Sequence, residues 1–488
     1  MSDHKSNGEL SVSTYNWSEW RDGRFHHCRD TKTFQTMPTR KLGVLLVGIG
    51  GNNGSTFHAA CIANSVHMKW HTRTGEYCSN FLGSMTQTVT IPVGYENGGY
   101  ETKYAKLNDV IDLVNPHELV VGGWDISGHD LSAAMRRSGV LDTSLQDQIT
   151  EYVTEKKLNT VPLPSVYYPS FIASNQASRA DNTLEGETAC DAHLDILREN
   201  IASFRTTHDL GHVVVMWTAT TERMMDISDN VHGSAVSILD AIKQGHTEIS
   251  PSLMFGVASV LEGCTFLNGS PQNTLVPGLI DMAQKSGTHV SGSDFKTGQT
   301  KLKSCLADFF MASGFHLTSV VSYNHLGNND GKNLSSEKQF MAKRASKTGI
   351  LENILMQNPD LYSGSLPDHE VVIRYVPNAR DDKKALDEYV ADICMGGSFV
   401  MNMQTTCPDS LLATPIMLDL VLLADWLDRL KVSGKPLPTN LTPLSFFFKA
   451  PQENDDHTQT NSFHMQLSSI YELALRSVGL PPVNSVWP

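Results

Sequence analysis

Short unbroken apolar runs recur along the first half of this chain, and each is closed by glycines or small polar residues. The clearest are Leu42 to Val47, Leu119 to Val121 leading to Asp125, and Val213 to Trp217. A run without alternation predicts a strand buried on both faces. Between these runs, apolar residues at helical spacing predict helices over Thr56–Ala63, Leu131–Val140, His193–Phe204 and Ser234–Gln244. Strands alternating with helices predict an α/β fold on a parallel sheet, which binds ligands at the carboxyl ends of its strands.

After about Gly292 the pattern changes. Glu370 to Val376 alternates and predicts a strand with one polar side, and Met395 to Met403 is a second candidate. Together they predict a second, smaller α+β domain over about 296–408. Leu411 to Leu430 is the most hydrophobic segment, yet it carries Pro415, Asp419, Asp425 and Asp428. Those acids predict a packed helix and argue against a membrane span. Met1 to Arg40 is a polar arm in which Trp17, Trp20 and Phe25 are the candidates for packing. Residues 452–461 form a polar loop.

The run Gly48-Ile49-Gly50-Gly51-Asn52-Asn53-Gly54-Ser55 joins the first predicted strand to the first predicted helix. Strand, glycine turn and helix together suit a dinucleotide. The glycines allow close approach to a pyrophosphate, and the helix N-terminus offers free N–H groups. The last glycine stands one residue later than in the usual fingerprint, and a plain strand-to-helix turn is the competing reading.

Bulk properties narrow the chemistry. At 488 residues the chain has room for two or three domains. The net charge of −14 disfavours nucleic acid and anionic membranes, so an anionic substrate needs a local cluster of cations. Eight scattered cysteines with no Cys-x-x-Cys pair fit a reducing compartment, and the N-terminal residues have no apolar core of a signal peptide. The expected location is therefore cytoplasmic. No Walker-type phosphate loop, His-Glu-x-x-His pair or Gly-x-Ser-x-Gly elbow is present, and no histidine spacing suggests a metal.

Thr297-Gly298-Gln299-Thr300 stands where a helix begins, flanked by Lys296 and Lys301. It reads equally as a phosphate cradle and as a capped helix. The amide-rich stretch Ser322 to Asn333 reads first as turns, with recognition of sugar hydroxyls as the alternative. Lys338, Lys343, Lys347 and Lys383 read alone as solvated surface; Lys343 and Lys347 would share a helix face. Lys449 follows Phe446-Phe447-Phe448, where an amine is either desolvated or snorkels to water.

Six ordered motifs change these readings. They are the glycine turn at 48–55, Gly-Gly-Trp-Asp-Ile at 122–126, Trp-Thr-Ala-Thr-Thr-Glu-Arg at 217–223, and Gly-Ser-Asp-Phe-Lys-Thr-Gly-Gln-Thr-Lys at 292–301. Ser-Tyr-Asn-His-Leu-Gly-Asn-Asn-Asp-Gly at 322–331 and Asp-Ser-Leu-Leu-Ala-Thr-Pro at 409–415 complete the set. With them the chain resembles the eukaryotic myo-inositol-1-phosphate synthase family from about Gly43 to Pro451. The resemblance implies a Rossmann-like NAD-binding domain over 41–295, completed by 409–488. It also implies a catalytic and oligomerisation domain over 296–408, after the arm at 1–40, and a homotetramer. The implied activity is redox-neutral: glucose 6-phosphate is oxidised at C5 by NAD, enolised, closed onto C1 and reduced again.

By position, the resemblance gives Lys343, Lys383 and Lys449 the oxyanions and proton transfers, with Lys343 at the C5 oxygen and Lys449 at the C1 oxygen. Asp294, Asp330 and Asp409 orient them. Lys347 and Thr297 to Thr300 hold the phosphate, and Asn328 and Asn329 meet the sugar. NAD falls to Gly48, Gly50, Gly51, Asn52, Asn53, Gly54, Asp125, Arg179, Thr218 and Ala219. No obligatory divalent metal is implied. An acid about twenty positions past the turn is missing; Glu76 is near, but no strand leads to it. Thr297 replaces a common serine and keeps the hydroxyl, while Thr220 replaces a common asparagine and puts one cofactor contact in doubt. A conventional sugar-phosphate dehydrogenase is the alternative, although it needs one acid–base group and not several.

Overall fold

The computed structural model describes residues 10–96, 101–362, 366–451 and 460–482, so most of the 452–461 loop lies outside the described residues. Six strands form the central sheet: β1 (Leu42–Val47), β2 (Val120–Asp125), β3 (Leu163–Pro164), β4 (His212–Trp217), β5 (Thr265–Asn268) and β6 (Val290–Gly292). Their spatial order is β6-β5-β4-β1-β2-β3, all parallel. This is the doubly wound, Rossmann-type order, and it reverses between β1 and β4. The loops after those two strands therefore open a crevice at the carboxyl edge.

The unbroken apolar runs are explained by burial on two sides. On β1, Leu42, Val44 and Leu46 join one core cluster, while Leu45 and Val47 join the other. Helix α1 (Asn52–Ser65) starts directly on the glycine turn, earlier than its apolar spacing predicts. Helices Leu131–Ser138, Asp191–Thr207 and Ala235–Lys243 lie where the periodicity puts them.

After β6 the chain enters helix α2 (Gly298–Ala312), strand β7 (His316–Leu326) and helix α3 (Glu337–Leu355). Strands β8 (Asp368–Tyr375), β9 (Asp382–Ile393) and β10 (Gly397–Pro408) complete a second sheet in the order β8-β7-β9-β10. Only the β7–β8 pair is parallel. Phe310 of α2, Ile354 of α3, and Val320 and Tyr389 of the sheet share its core. The amide-rich stretch is mainly not turn: Ser322 to Leu326 belong to β7, because Ser322, Asn324 and Leu326 are buried as the inward half of an alternating strand. Only Gly327 and Asn328 are irregular, and Asn329–Asn333 forms a short helix capped by Asn328.

Helix α4 (Asp409–Arg429) returns to the first core. By length and composition it could cross a membrane, but most of it is buried inside the protein. Its acids are satisfied there. Asp419 accepts from Ser84 Oγ, Met85 N, and Thr86 N and Oγ1 at 2.6–2.9 Å.

The N-terminal segment is no loose arm. Ser11–Arg21 and Arg24–Thr36 form a hairpin, and its second strand pairs with Leu430–Val432. Phe34 does the packing, while Trp17, Trp20 and Phe25 stay exposed. The pairing strand comes from the far end of the chain, so local pattern could not reveal it.

Candidate active site

The crevice holds a cavity of about 120 Å³. On one side lie the turn after β1 and the segment after β4. Gly48 adopts φ +90°, and a Cβ there would stand 2.7 Å from Ala219 Cα. A Cβ on Gly54 would meet the Gly48 carbonyl at 2.3 Å. Only glycine allows this packing of turn on helix. Gly51 caps α1 with no side-chain hydrogen bond, so the first-turn N–H groups remain open. Gly51, Asn52 and Asn53 face the cavity, as do Thr218, Ala219 and Thr220. Thr218 N and Oγ1 both donate to the Val47 carbonyl, which fixes the β4 loop against β1.

Asp125 closes β2 beside this turn. It accepts from Gly50 N at 2.9 Å and Arg179 Nη2 at 3.3 Å. The missing acid is thus present at the end of the next strand. Two small hairpins inserted between α1 and β2 push it far down the sequence. Glu76 sits on one of them, exposed. Arg137, absent from the expected set, donates to the Gly50 carbonyl at 2.5 Å. These groups fit NAD: a glycine cradle at an uncapped helix N-terminus, and an acid at the end of the second strand.

The opposite side carries buried charge drawn from five separate segments. Asp294 follows β6 with φ +59°, after Ser293 at φ +125°. Hydrogen bonds from Asp294 N to the Ser270 carbonyl, and from Lys449 N to the Ser293 and Asp294 carbonyls, hold this strained backbone. Its carboxylate receives Lys343 Nζ at 3.0 Å, Lys449 Nζ at 2.5 Å and Ser346 Oγ at 3.3 Å. Lys343 and Lys347 share one face of α3, one turn apart. Lys383 is the second residue of β9, and its Nζ lies 3.6 Å from Asp409 at the start of α4. Lys449 is pulled inward by Phe446, Phe447 and Phe448, all in the first core.

Environment separates these amines. Burial opposes charge on Lys343, Lys347 and Lys449. At Lys343 burial is outweighed by Asp294, Asp330 and Asp409, which hold it above the ordinary lysine range. At Lys449 burial outweighs Asp294, Lys343 and Lys383 add to the depression, and the amine is pulled down to about 7. Lys347 is held well below the ordinary lysine range: burial and then Lys383, Lys449, Lys303 and Lys343 all depress it, and its hydrogen-bond partner is the Asn324 amide at 3.3 Å. Burial raises Asp294, but Lys343 and Lys449 overcome it and bring it down to about 2.

The remaining expected residues divide. Thr297 lines the cavity and precedes α2 without a side-chain cap; Gly298, Gln299 and Thr300 form the helix's first turn. The Gln299 amide is turned away to Asp387, leaving its backbone N–H at the helix end. Asn328, Asn329 and Asp330 line the cavity, and Asp330 accepts from Thr221 N and Oγ1 at 3.1 Å. Lys296 and Lys301 are elsewhere. Lys296 Nζ binds the Asn461 carbonyl and Gln466, and Lys301 Nζ sits over the Phe446 ring. Lys338 is exposed.

Asp381 is the residue that pattern reading missed. Its carboxylate accepts from Asn52 Nδ2, Asn328 Nδ2, and Ser410 N and Oγ at 2.9–3.3 Å. It joins the glycine turn, the asparagine segment and the start of α4. Its position two residues before Lys383 was the available signal. Among the described residues, no three His, Cys, Asp or Glu side chains are grouped as metal ligands.

The family described as myo-inositol-1-phosphate synthase matches residues 42–475. The chain belongs to this family. Inositol-3-phosphate synthase 1 of Homo sapiens is 46% identical over 460 residues, covering 93% of this chain and 81% of the human one. Inositol-3-phosphate synthase of Drosophila melanogaster is 43% identical over 453 residues, covering 91% and 79%. The crystal structure of inositol-3-phosphate synthase from Caenorhabditis elegans superposes with a TM-score of 0.93 at 41% identity, covering 98% of this chain and 94% of that one. A related protein of Thermotoga maritima shares the fold, with a TM-score of 0.63 at 17% identity.

Proposed function

We propose that this enzyme converts D-glucose 6-phosphate into 1D-myo-inositol 3-phosphate without net oxidation, with NAD as its cofactor. One observation carries the reading: a single cavity is walled by the glycine turn on one side and by Lys343, Lys383, Lys449, Asp294 and Asp409 on the other. Gly51, Asn52, Asn53, Asp125 and Thr218 would hold NAD, which would supply a reversible hydride acceptor for C5.

The chain's own residues supply the rest. The open first turn of α2 and Lys347 hold the phosphate, whose charge would restore a proton to the depressed Lys347 amine. Asn328 and Asn329 meet sugar hydroxyls. Lys343 stays an ammonium and stabilises charge on the C5 oxygen, and Lys383 supports the enolate. Lys449 is the proton carrier, because its amine is poised near neutrality while Lys343 is held as a cation. It takes the C5 hydroxyl proton and delivers it to the C1 oxygen at closure, while the proton lost from C6 on enolisation returns to the C5 oxygen as that carbon is reduced. This moves proton transfer from Lys343, where the resemblance put it, to its neighbour on Asp294.

The same reading assigns 41–295, completed by 409–488, to the cofactor and 296–408 to catalysis and assembly. Exposed Leu386 and Val400 on the second sheet support a homotetramer. All eight cysteines are free thiols, which supports a cytoplasmic location.

The test mixes the protein with glucose 6-phosphate and catalytic NAD, with no external electron acceptor. Inositol phosphate in large excess over NAD, with no net reduced cofactor, is the expected result. Reduced cofactor accumulating without inositol phosphate would overturn the proposal in favour of a dehydrogenase.

A further inference from the structure

Behind the glycine turn lies a second cavity, of about 400 Å³. Phe57, Ala60 and Cys61 of α1 form one wall, and Leu411, Pro415 and Leu418 of α4 form the other. Its size suits a small organic ligand, and its lining is mainly apolar. No lysine or arginine lines it, so it offers nothing to a phosphate or a carboxylate. The carboxylate in its wall, Asp142, accepts from Trp70 Nε1 at 3.1 Å. The Cys61 thiol, pushed up to about 12 by burial, is a packing surface and not a nucleophile.

One polar side chain in the lining lacks a partner, and one backbone carbonyl lacks its helical donor. Ser79 Oγ is buried with no hydrogen-bond partner among the described residues. Pro415 stands inside α4 and has no N–H to give to the Leu411 carbonyl one turn back. An apolar molecule with one hydroxyl or amide group can serve either.

The two walls are also joined at the active site. Helix α1 begins at Asn52 and α4 at Asp409. Asn52 and Ser410, at these two starts, both donate to Asp381. A ligand wedged between the helices acts on two elements whose N-terminal ends meet at the cofactor loop. We propose that this cavity is an effector site for a small, uncharged, mainly apolar molecule with one hydroxyl or amide group, and that its occupancy changes NAD affinity through α1 and α4. The coupling rests on the glycine turn being the NAD loop; the binding itself does not.

The experiment titrates 4-butylphenol into the full chain by calorimetry, then titrates NAD with and without the phenol. Ala60→Phe, a half-buried position on α1, fills the cavity from one wall and keeps basal turnover. Phenol binding should weaken about tenfold in Ala60→Phe and about fivefold in Ser79→Ala, and 4-butylbenzoate should bind about tenfold more weakly than the phenol. In the parent chain the NAD Kd should shift about threefold or more with phenol bound, and NAD should shift the phenol Kd by the same factor. Absent phenol binding, equal binding to Ala60→Phe, or equal binding of the benzoate would overturn the site. Phenol binding with an unchanged NAD Kd would overturn the coupling. Failure of NAD to bind at all would overturn the cofactor reading instead.

Discussion

Helix α4 has a buried charge cluster at each end, and the two are built on opposite terms. At its C-terminal end, Asp425 receives Arg40 Nε at 2.9 Å and Arg429 Nε at 2.8 Å. Asp428 takes the other fork of Arg40, and Arg429 also donates to the Met37 and Asp112 carbonyls. Each guanidinium meets acceptors in a fixed planar geometry, which is how a buried ion pair offsets its desolvation. At the N-terminal end the cations are lysines. Lys343, Lys383 and Lys449 are paired through only two carboxylates, Asp294 and Asp409. Lys347 has an amide and four other ammonium groups for company. One cluster is complete in itself and holds the N-terminal hairpin junction to the core. The other carries positive charge that an anionic substrate completes.

Breaking the two clusters in the same way should give opposite phenotypes. Asp294→Asn removes the carboxylate that sets both Lys343 and Lys449, and turnover should fall on the order of 10³-fold with a small change in Tm. Asp425→Asn removes the carboxylate shared by buried Arg429 and partly exposed Arg40 and should cost about 3 kcal/mol of stability, with turnover per folded molecule nearly unchanged. Calorimetric melts and steady-state rates on both variants decide this; a reversal of the two phenotypes would dissolve the distinction.

The pH dependence sharpens it further. Lys449 is depressed to about 7, so below that value its amine is protonated and cannot accept the substrate proton. The logarithm of kcat/KM should climb with pH and level off near 7, losing about tenfold per unit on the acid side. Raising Lys449 should move the break upward, and Lys383→Met, which removes one repelling cation, should lower its acid-limb activity in that way. A flat profile between about pH 5 and about pH 8 would remove Lys449 from the role.

On the cofactor side charge matters less than space. Gly54→Ala puts a methyl group 2.3 Å from the Gly48 carbonyl, so the turn must shift. The NAD Kd should rise about tenfold while phosphate binding stays as it was. Fluorescence titration of NAD, beside a phosphate titration on the same variant, checks both halves.

That contrast also explains what could be read from the sequence. The cofactor side is continuous: strand, glycines and helix occupy neighbouring positions, and burial on both faces of β1 removes alternation from Leu42–Val47. Even there Asp125 escaped the usual spacing, because the hairpins inserted before β2 lengthen the interval. The charged side is discontinuous. Lys343 and Lys449 read alone as surface or snorkelling amines, and they meet only because Asp294 receives both. Family motifs named those lysines; pattern could not. Asp381 escaped both, since its work is to accept hydrogen bonds from Asn52, Asn328 and Ser410, three segments that share no local signal. Lys296 and Lys301, adjacent in sequence to the phosphate turn, are carried off it by the backbone reversal at Ser293–Asp294 and by the helical twist of α2.

The most direct measurement is the thermal melt of the parent chain and of Lys347→Met, each without ligand and with saturating glucose 6-phosphate. If the lysine cluster is charge awaiting an anion, the empty variant melts a few degrees, about 2–4 °C, above the empty parent, because a repelled buried amine has become an apolar side chain. The substrate then raises the parent's Tm and barely moves the variant's. An empty variant that melts below the parent, with the substrate response intact, would contradict the account.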